Sequence, residues 1–144
     1  LACDMVIASQ AASFMLPFAK IGLIPDTACS WLVPQRLGQA RALGLAMTGN
    51  KLPAAKAAEW GLIWEAVAEE AFAESVQKLA EQLATMPTKA LVRTRQAMQA
   101  GRTNTLEQQL TLEGLYMREL GRSSDYVEGV SAFLEKRSPR FTGA

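Results

Sequence analysis

Ile21-Gly22-Leu23-Ile24-Pro25-Asp26-Thr27-Ala28-Cys29-Ser30-Trp31 places one carboxylate in an otherwise apolar run, at the point where a loop should pass into a helix. Pro25 cannot continue a helix from before it and Asp26 is a residue type that caps a new one. Residues 27–32 are therefore expected to supply the first turns, within a helix over 28–37 that Pro34 disturbs. Two readings of Asp26 fit that placement. It is a plain capping aspartate, or it is a carboxylate held among Ile24, Trp31 and Leu32, whose apolar side chains would desolvate it and strengthen it as a base. Spacing alone leaves both open.

Composition narrows the chemistry. The 144 residues are 49% apolar and 20% charged, which suits one ordinary globular domain with a real core. Fifteen Lys and Arg against 14 Asp and Glu leave a net charge of +1, so neither nucleic acid nor a membrane is expected as a partner. With no apolar run of about 18 residues and no basic leader in this sequence, the expected compartment is the cytoplasm. Histidine is absent, which removes Ser-His-Asp and Cys-His catalysis and leaves metals only carboxylates and two separated thiols; no metal site is expected. Proton transfer then falls to Asp, Glu, Lys, Tyr or Cys. Cys3 and Cys29 sit in apolar stretches without paired spacing and read as reduced core thiols.

Residues 1–9 and 12–17 read as two buried strands, so the chain starts inside a core and further strands are expected before Leu1. A helix over 39–48 stops at Gly49-Asn50, and Lys51-Leu52 forms an extended link. A helix entered through Pro53 runs to Trp60 and ends at Gly61, and residues 62–67 form another short strand. From Glu69 the pattern changes to four amphipathic helices, over 69–85, 88–100, 105–121 and 124–136. Their apolar positions, among them Phe72, Val76, Leu79 and Leu83 in the first and Leu106, Leu110, Leu115 and Leu120 in the third, need cover from the chain's own core or from another subunit. Asp125 and Glu128 read as helix-start charge and a solvated face, not a catalytic pair. Lys89, Arg93, Arg95 and Arg102 read as surface charge.

Several stretches in order carry a family likeness: Leu1-Ala2-Cys3-Asp4, Phe14 to Pro17, Ile21 to Asp26, Leu45 to Gly49, Ala57-Ala58-Glu59-Trp60-Gly61-Leu62-Ile63 and Phe133-Leu134-Glu135-Lys136-Arg137. Together they resemble the second half of a crotonase-fold protein of the enoyl-CoA hydratase/isomerase superfamily, from end to end of the chain. The resemblance implies an α/β fold: residues 1–67 as the C-terminal part of the core with its acid/base loop, and 68–144 as a helical region through which such proteins form trimers, often paired into hexamers. It also implies an acyl-CoA substrate, with CoA as part of that substrate and no separate cofactor. Asp26 stands where the family carries the single carboxylate of its isomerases, with Ile24, Pro25 and Trp31 in the acyl pocket, and Phe133 and Lys136 near the nucleotide end of CoA. The Ile-Pro-Asp loop, the stretch from Ala58 to Trp64 and the closing residues 121–126 and 141–143 most resemble the branch that isomerises 1,2-epoxyphenylacetyl-CoA to oxepin-CoA in phenylacetate degradation.

Two departures from the family pattern bear on the reaction. Phe18 stands where hydratases carry a glutamate after the proline of Leu16-Pro17-Phe18, which disfavours hydration. Many members have two glycines where this chain has Ala28 and Cys29, which would crowd the loop or shift the helix start. The other hydratase glutamate and the oxyanion-hole residues would precede Leu1. A Δ3,Δ2-enoyl-CoA isomerase, a hydratase-like enzyme and a catalytically inactive fragment that only self-assembles are the alternatives.

Overall fold

Strands of two or three residues exist only through their partners, and here the partners lie far along the chain. In the computed structural model, which describes residues 2–144, β1 (Ile7–Ser9) and β2 (Ser13–Phe14) come first. A 3-10 helix (Pro17–Ile21), α1 (Cys29–Leu37) and α2 (Gln39–Thr48) follow, then β3 (Leu52–Pro53), α3 (Ala54–Glu59) and β4 (Glu65–Val67). After a 3-10 turn at Glu69–Ala71 the rest is helical: α4 (Phe72–Ala84), α5 (Thr88–Ala100), α6 (Leu106–Leu120) and α7 (Ser124–Glu135). β1 runs parallel to β4 with Ala8 opposite Ala66, and β2 runs antiparallel to β3 with Phe14 opposite Leu52.

The first two strands are shorter than expected. Leu1 lies outside the described residues, residues 2–6 are irregular, and Ala2, Cys3 and Asp4 are exposed. The run over 12–17 yields only Ser13–Phe14, because Pro17 opens the 3-10 helix, where its missing N–H costs nothing. Cys3 is therefore not a core thiol, and Cys29 is half-buried; both are free.

The chain divides into two compact units within α4, one up to Gln77 and one from Lys78 on. The first has an aliphatic core: Val33 and Leu37 of α1, Ala42 and Leu45 of α2, Leu52, Ala54, Ala57, Leu62, Ile63 and Ala8. Ala54 and Ala57 are fully buried, so the small face of α3 serves close packing as well as helix propensity. The Arg36 guanidinium ties this unit together, donating from Nη2 to the Cys3 carbonyl at 3.1 Å.

In the second unit α5 packs on α6, stapled by Arg93, whose guanidinium lies 4.7 Å from the Tyr116 ring centre and 2.8 Å from the Glu119 carboxylate. Arg93 is thus a packed ion-pair partner and not merely surface charge. That contact holds the Glu119 carboxyl below its ordinary range. Thr105 and Gln108 form a reciprocal capping box at the start of α6. Among the described residues of this unit only Asp125 and Ala132 are buried, while Leu106, Leu110, Met117, Phe133 and Leu134 are each more than half exposed. Within the unit these helices leave much of their apolar surface exposed. Leu62, 1% exposed at the centre of the first core, gives the direct check on that core: Leu62→Ala should lower the unfolding free energy by about 2–5 kcal/mol in denaturant titrations.

Candidate functional site

The Asp26 loop is held at both ends. Upstream, the 3-10 helix closes on Gly22, whose left-handed φ of 75° turns the chain, and Leu23 N–H donates to the Phe18 carbonyl at 3.0 Å. Downstream, α1 is anchored by Val33 and Leu37 in the core. Between them the backbone takes a conformation that L-residues avoid: Thr27 has φ 47° and Ala28 φ 63°. Each such residue costs about 1–2 kcal/mol, and a β-branched threonine is the less tolerant of the two.

These two left-handed residues decide what Asp26 does. They shift the helix start to Cys29, one residue later than expected, and make Ala28 the capping position, without a side-chain cap. The Asp26 carbonyl accepts the Cys29 N–H at 2.8 Å. Its carboxylate instead accepts from the Thr27 hydroxyl at 3.4 Å. The capping reading of the side chain is therefore corrected: the carboxylate is left over from helix formation. The expected desolvation is corrected as well, since Asp26 is exposed, and Ile24 and Trp31 are 80% and 57% exposed. Ile24 and half-buried Pro25 share the loop with Asp26, Trp31 stands in the first turn of α1, and Ile21 and Leu23 add exposed apolar surface upstream. Phe18 belongs to the 3-10 helix just upstream and is half-buried.

Phe133 and Lys136 belong to the second unit, at the end of α7. Phe133 is 82% exposed and lines, with Lys89, Tyr126, Val130, Leu134 and Phe141, an apolar groove of about 440 Å3. Lys136 is exposed and stands just past the helix in the left-handed region, with φ 54°. Arg137 N–H reaches back to the Ala132 carbonyl at 3.0 Å and Lys136 N–H to the Phe133 carbonyl at 3.3 Å, the paired bonds of a Schellman turn in a position that usually needs glycine.

Two carboxylates that the sequence reading left in solvent hold the tail after this turn. Glu128 accepts two bonds from the Arg137 guanidinium, at 2.6 and 2.9 Å, and the Arg140 N–H at 2.7 Å. The Arg137 guanidinium, and after it the Arg140 amide, bring the Glu128 carboxyl down to about 2. Asp125 is 5% exposed and accepts the Thr142 N–H at 2.7 Å and the Gly143 N–H at 2.8 Å. The Thr142 amide first and the Gly143 amide next hold its carboxyl below the ordinary range, against the opposing effect of burial. Neither is a solvated face: the sequence shows two acids three apart, and nothing local announces that residues 137–143 return to them.

The enoyl-CoA hydratase/isomerase family model matches residues 1–144. The chain is 54% identical over 140 residues to the 1,2-epoxyphenylacetyl-CoA isomerase of Escherichia coli K12, covering 97% of this chain and 53% of that protein. It is 48% identical over 143 residues to a protein of Rhodobacter capsulatus named "Probable enoyl-CoA hydratase", covering 99% and 56%. The crystal structure of an enoyl-CoA hydratase from Bacillus anthracis superimposes with a TM-score of 0.94 at 30% identity, over 99% of this chain and 55% of that one. The chain thus spans about half the length of the relatives it matches.

Replacing Ala28 by glycine removes a Cβ from the left-handed region and should raise stability by about 0.5–1 kcal/mol, read as a higher denaturant midpoint. The tail clamp should depend on pH. Both carboxyls are depressed in the folded state, so their contribution is complete above their unfolded values near 4 and is lost as pH falls through their folded values, which for Glu128 is about 2. The amide signals of Arg140, Thr142 and Gly143 in NMR spectra should move together over that window and stay constant from pH 5 to 7.

Proposed function

The chain belongs to the enoyl-CoA hydratase/isomerase family, and from that premise we propose that it carries the acid/base loop of an acyl-CoA isomerase, with Asp26 as the single carboxylate that moves the proton. The observation that carries this reading is the state of Asp26. Its side chain is exposed, spared from capping and held on a strained turn between two fixed helices.

The thioester acidifies the carbon next to it, and one carboxylate suffices to take a proton from that carbon and return it to another. Hydration differs, because water must be activated and a proton delivered, which calls for more groups; Phe18 stands where a second carboxylate would be useful to a hydratase. The substrate class favoured is 1,2-epoxyphenylacetyl-CoA, supported by the 54% identity to the Escherichia coli enzyme of that name. In that reaction Asp26 would remove a proton from the carbon beside the thioester. The electron pair is taken up as the epoxide-bearing ring opens to the seven-membered oxepin, and the proton returns to a ring carbon. Nothing enters or leaves, so no second substrate is needed.

Ile24, Pro25 and Trp31 give the acyl group apolar surface beside the carboxylate, and a substrate lying on them would exclude the water that otherwise reaches Asp26. Phe133 offers a face for adenine and Lys136 a cation for phosphate. The exposed apolar faces of α6 and α7 support assembly with further copies of the chain as a trimer or hexamer. The absence of any helix among the described residues long and apolar enough to cross a membrane is compatible with a cytoplasmic setting.

Asp26→Asn preserves shape and removes the base. Turnover of the epoxide thioester by the protein should fall by at least about a hundredfold with substrate affinity retained, as for loss of a general acid/base. Near-normal turnover would sink the assignment.

A further inference from the structure

Two features at the end of α7 are unusual together. Lys136 takes a left-handed backbone without being glycine, and the residue after it, Arg137, is held by three bonds to two carboxylates: two to Glu128 and one from Nε to Glu135 at 2.6 Å. A bidentate arginine–carboxylate pair fixes direction as well as distance. Here it fixes the chain immediately beyond Lys136, in a turn the backbone would otherwise leave.

The clamp reaches further along the tail. Glu128 also takes the Arg140 amide, and Asp125, one turn earlier on α7, takes the amides of Thr142 and Gly143. Phe141 between them packs over Gly129, where an added Cβ would lie 3.5 Å from its ring, and it forms part of the same groove wall as Phe133. A Cβ at 129 would meet that ring at ordinary van der Waals distance, so the ring lies directly over α7 there. Two acids on α7 thereby set both the turn that presents Lys136 and the ring that faces Phe133.

We propose that Glu128, through its bidentate grip on Arg137, is a positioning residue for the nucleotide end of CoA, holding Lys136 in its left-handed turn and Phe141 on the groove beside Phe133. The inference rests on the CoA contact assigned above to Phe133 and Lys136. Glu128 touches no ligand in this scheme, and its carboxylate is consumed by Arg137 and the Arg140 amide.

The test uses CoA itself as probe, in calorimetric titrations of the protein, beside kcat for its thioester. Glu128→Gln should weaken CoA binding about tenfold, the scale of one charge-assisted contact, while kcat at saturating thioester stays within about twofold, because the chemistry lies elsewhere. Arg137→Lys keeps the charge and loses the fork, and it should reproduce the effect if the glutamine variant does not fold. Lys136→Ala is measured in parallel. If Lys136→Ala leaves CoA affinity unchanged, the CoA contact itself is wrong and this inference falls with it. If Lys136→Ala weakens binding and the Glu128 and Arg137 variants do not, the positioning role alone is overturned. A fall in kcat that parallels the loss of affinity would mark Glu128 as merely structural and also overturn it.

Discussion

The packing of α1 on α2 is the constraint on which the candidate site depends. Val33 and Leu37 meet Ala42 and Leu45 in the first core, with Leu62 and Ile63 completing it. This contact fixes where α1 begins, and the hydrogen bonds of Gly22 and Leu23 fix where the preceding 3-10 helix ends. The residues between, 22–28, must span a set gap. Thr27 and Ala28 do so by entering the left-handed region, so the strain at the site is held by the core packing of α1 on one side and the backbone hydrogen bonds of the 3-10 helix on the other. A carboxylate on such a turn cannot follow the helix amides, and it remains available for other chemistry.

A second constraint governs the later half. α4 to α7 are built from good helix formers and have well-formed ends, yet the unit from Lys78 on buries little apolar surface of its own. Its order at the end of α7 comes from polar contacts: Asp125 and Glu128 collect six tail donors between them, two guanidinium and three backbone N–H groups at 2.6–2.9 Å and the Thr142 hydroxyl at 3.1 Å. Each acid is satisfied by a segment 9 to 18 residues downstream. A tail held by charge in place of apolar burial leaves the neighbouring Phe133, Tyr126 and Leu134 exposed along the groove.

The elements legible in the sequence were those with local causes. Helices over 39–48 and 88–100 match α2 and α5 to the residue, since Gly38, Gly49, Pro87 and Gly101 punctuate them. The crotonase-like α/β fold was legible too, through stretches spread over the chain, and the match over residues 1–144 and the TM-score of 0.94 bear it out. What failed depended on distant partners. The strands contracted to the few residues opposite β3 and β4, the Asp26 carboxylate lost its capping role to backbone geometry at 27 and 28, and Asp125 gained a buried role from amides 17 and 18 residues later. Exposure at Asp26 has a related cause: apolar neighbours in sequence do not cover a carboxylate when they point outward, as Ile24 in the loop and Trp31 at the start of α1 show.

The most direct test of the central claim is the mass of the product formed from 1,2-epoxyphenylacetyl-CoA. Proton transfer by one carboxylate predicts a product of unchanged mass and altered absorbance, an isomer. A product heavier by one water, or recovery of the substrate unchanged, would contradict it.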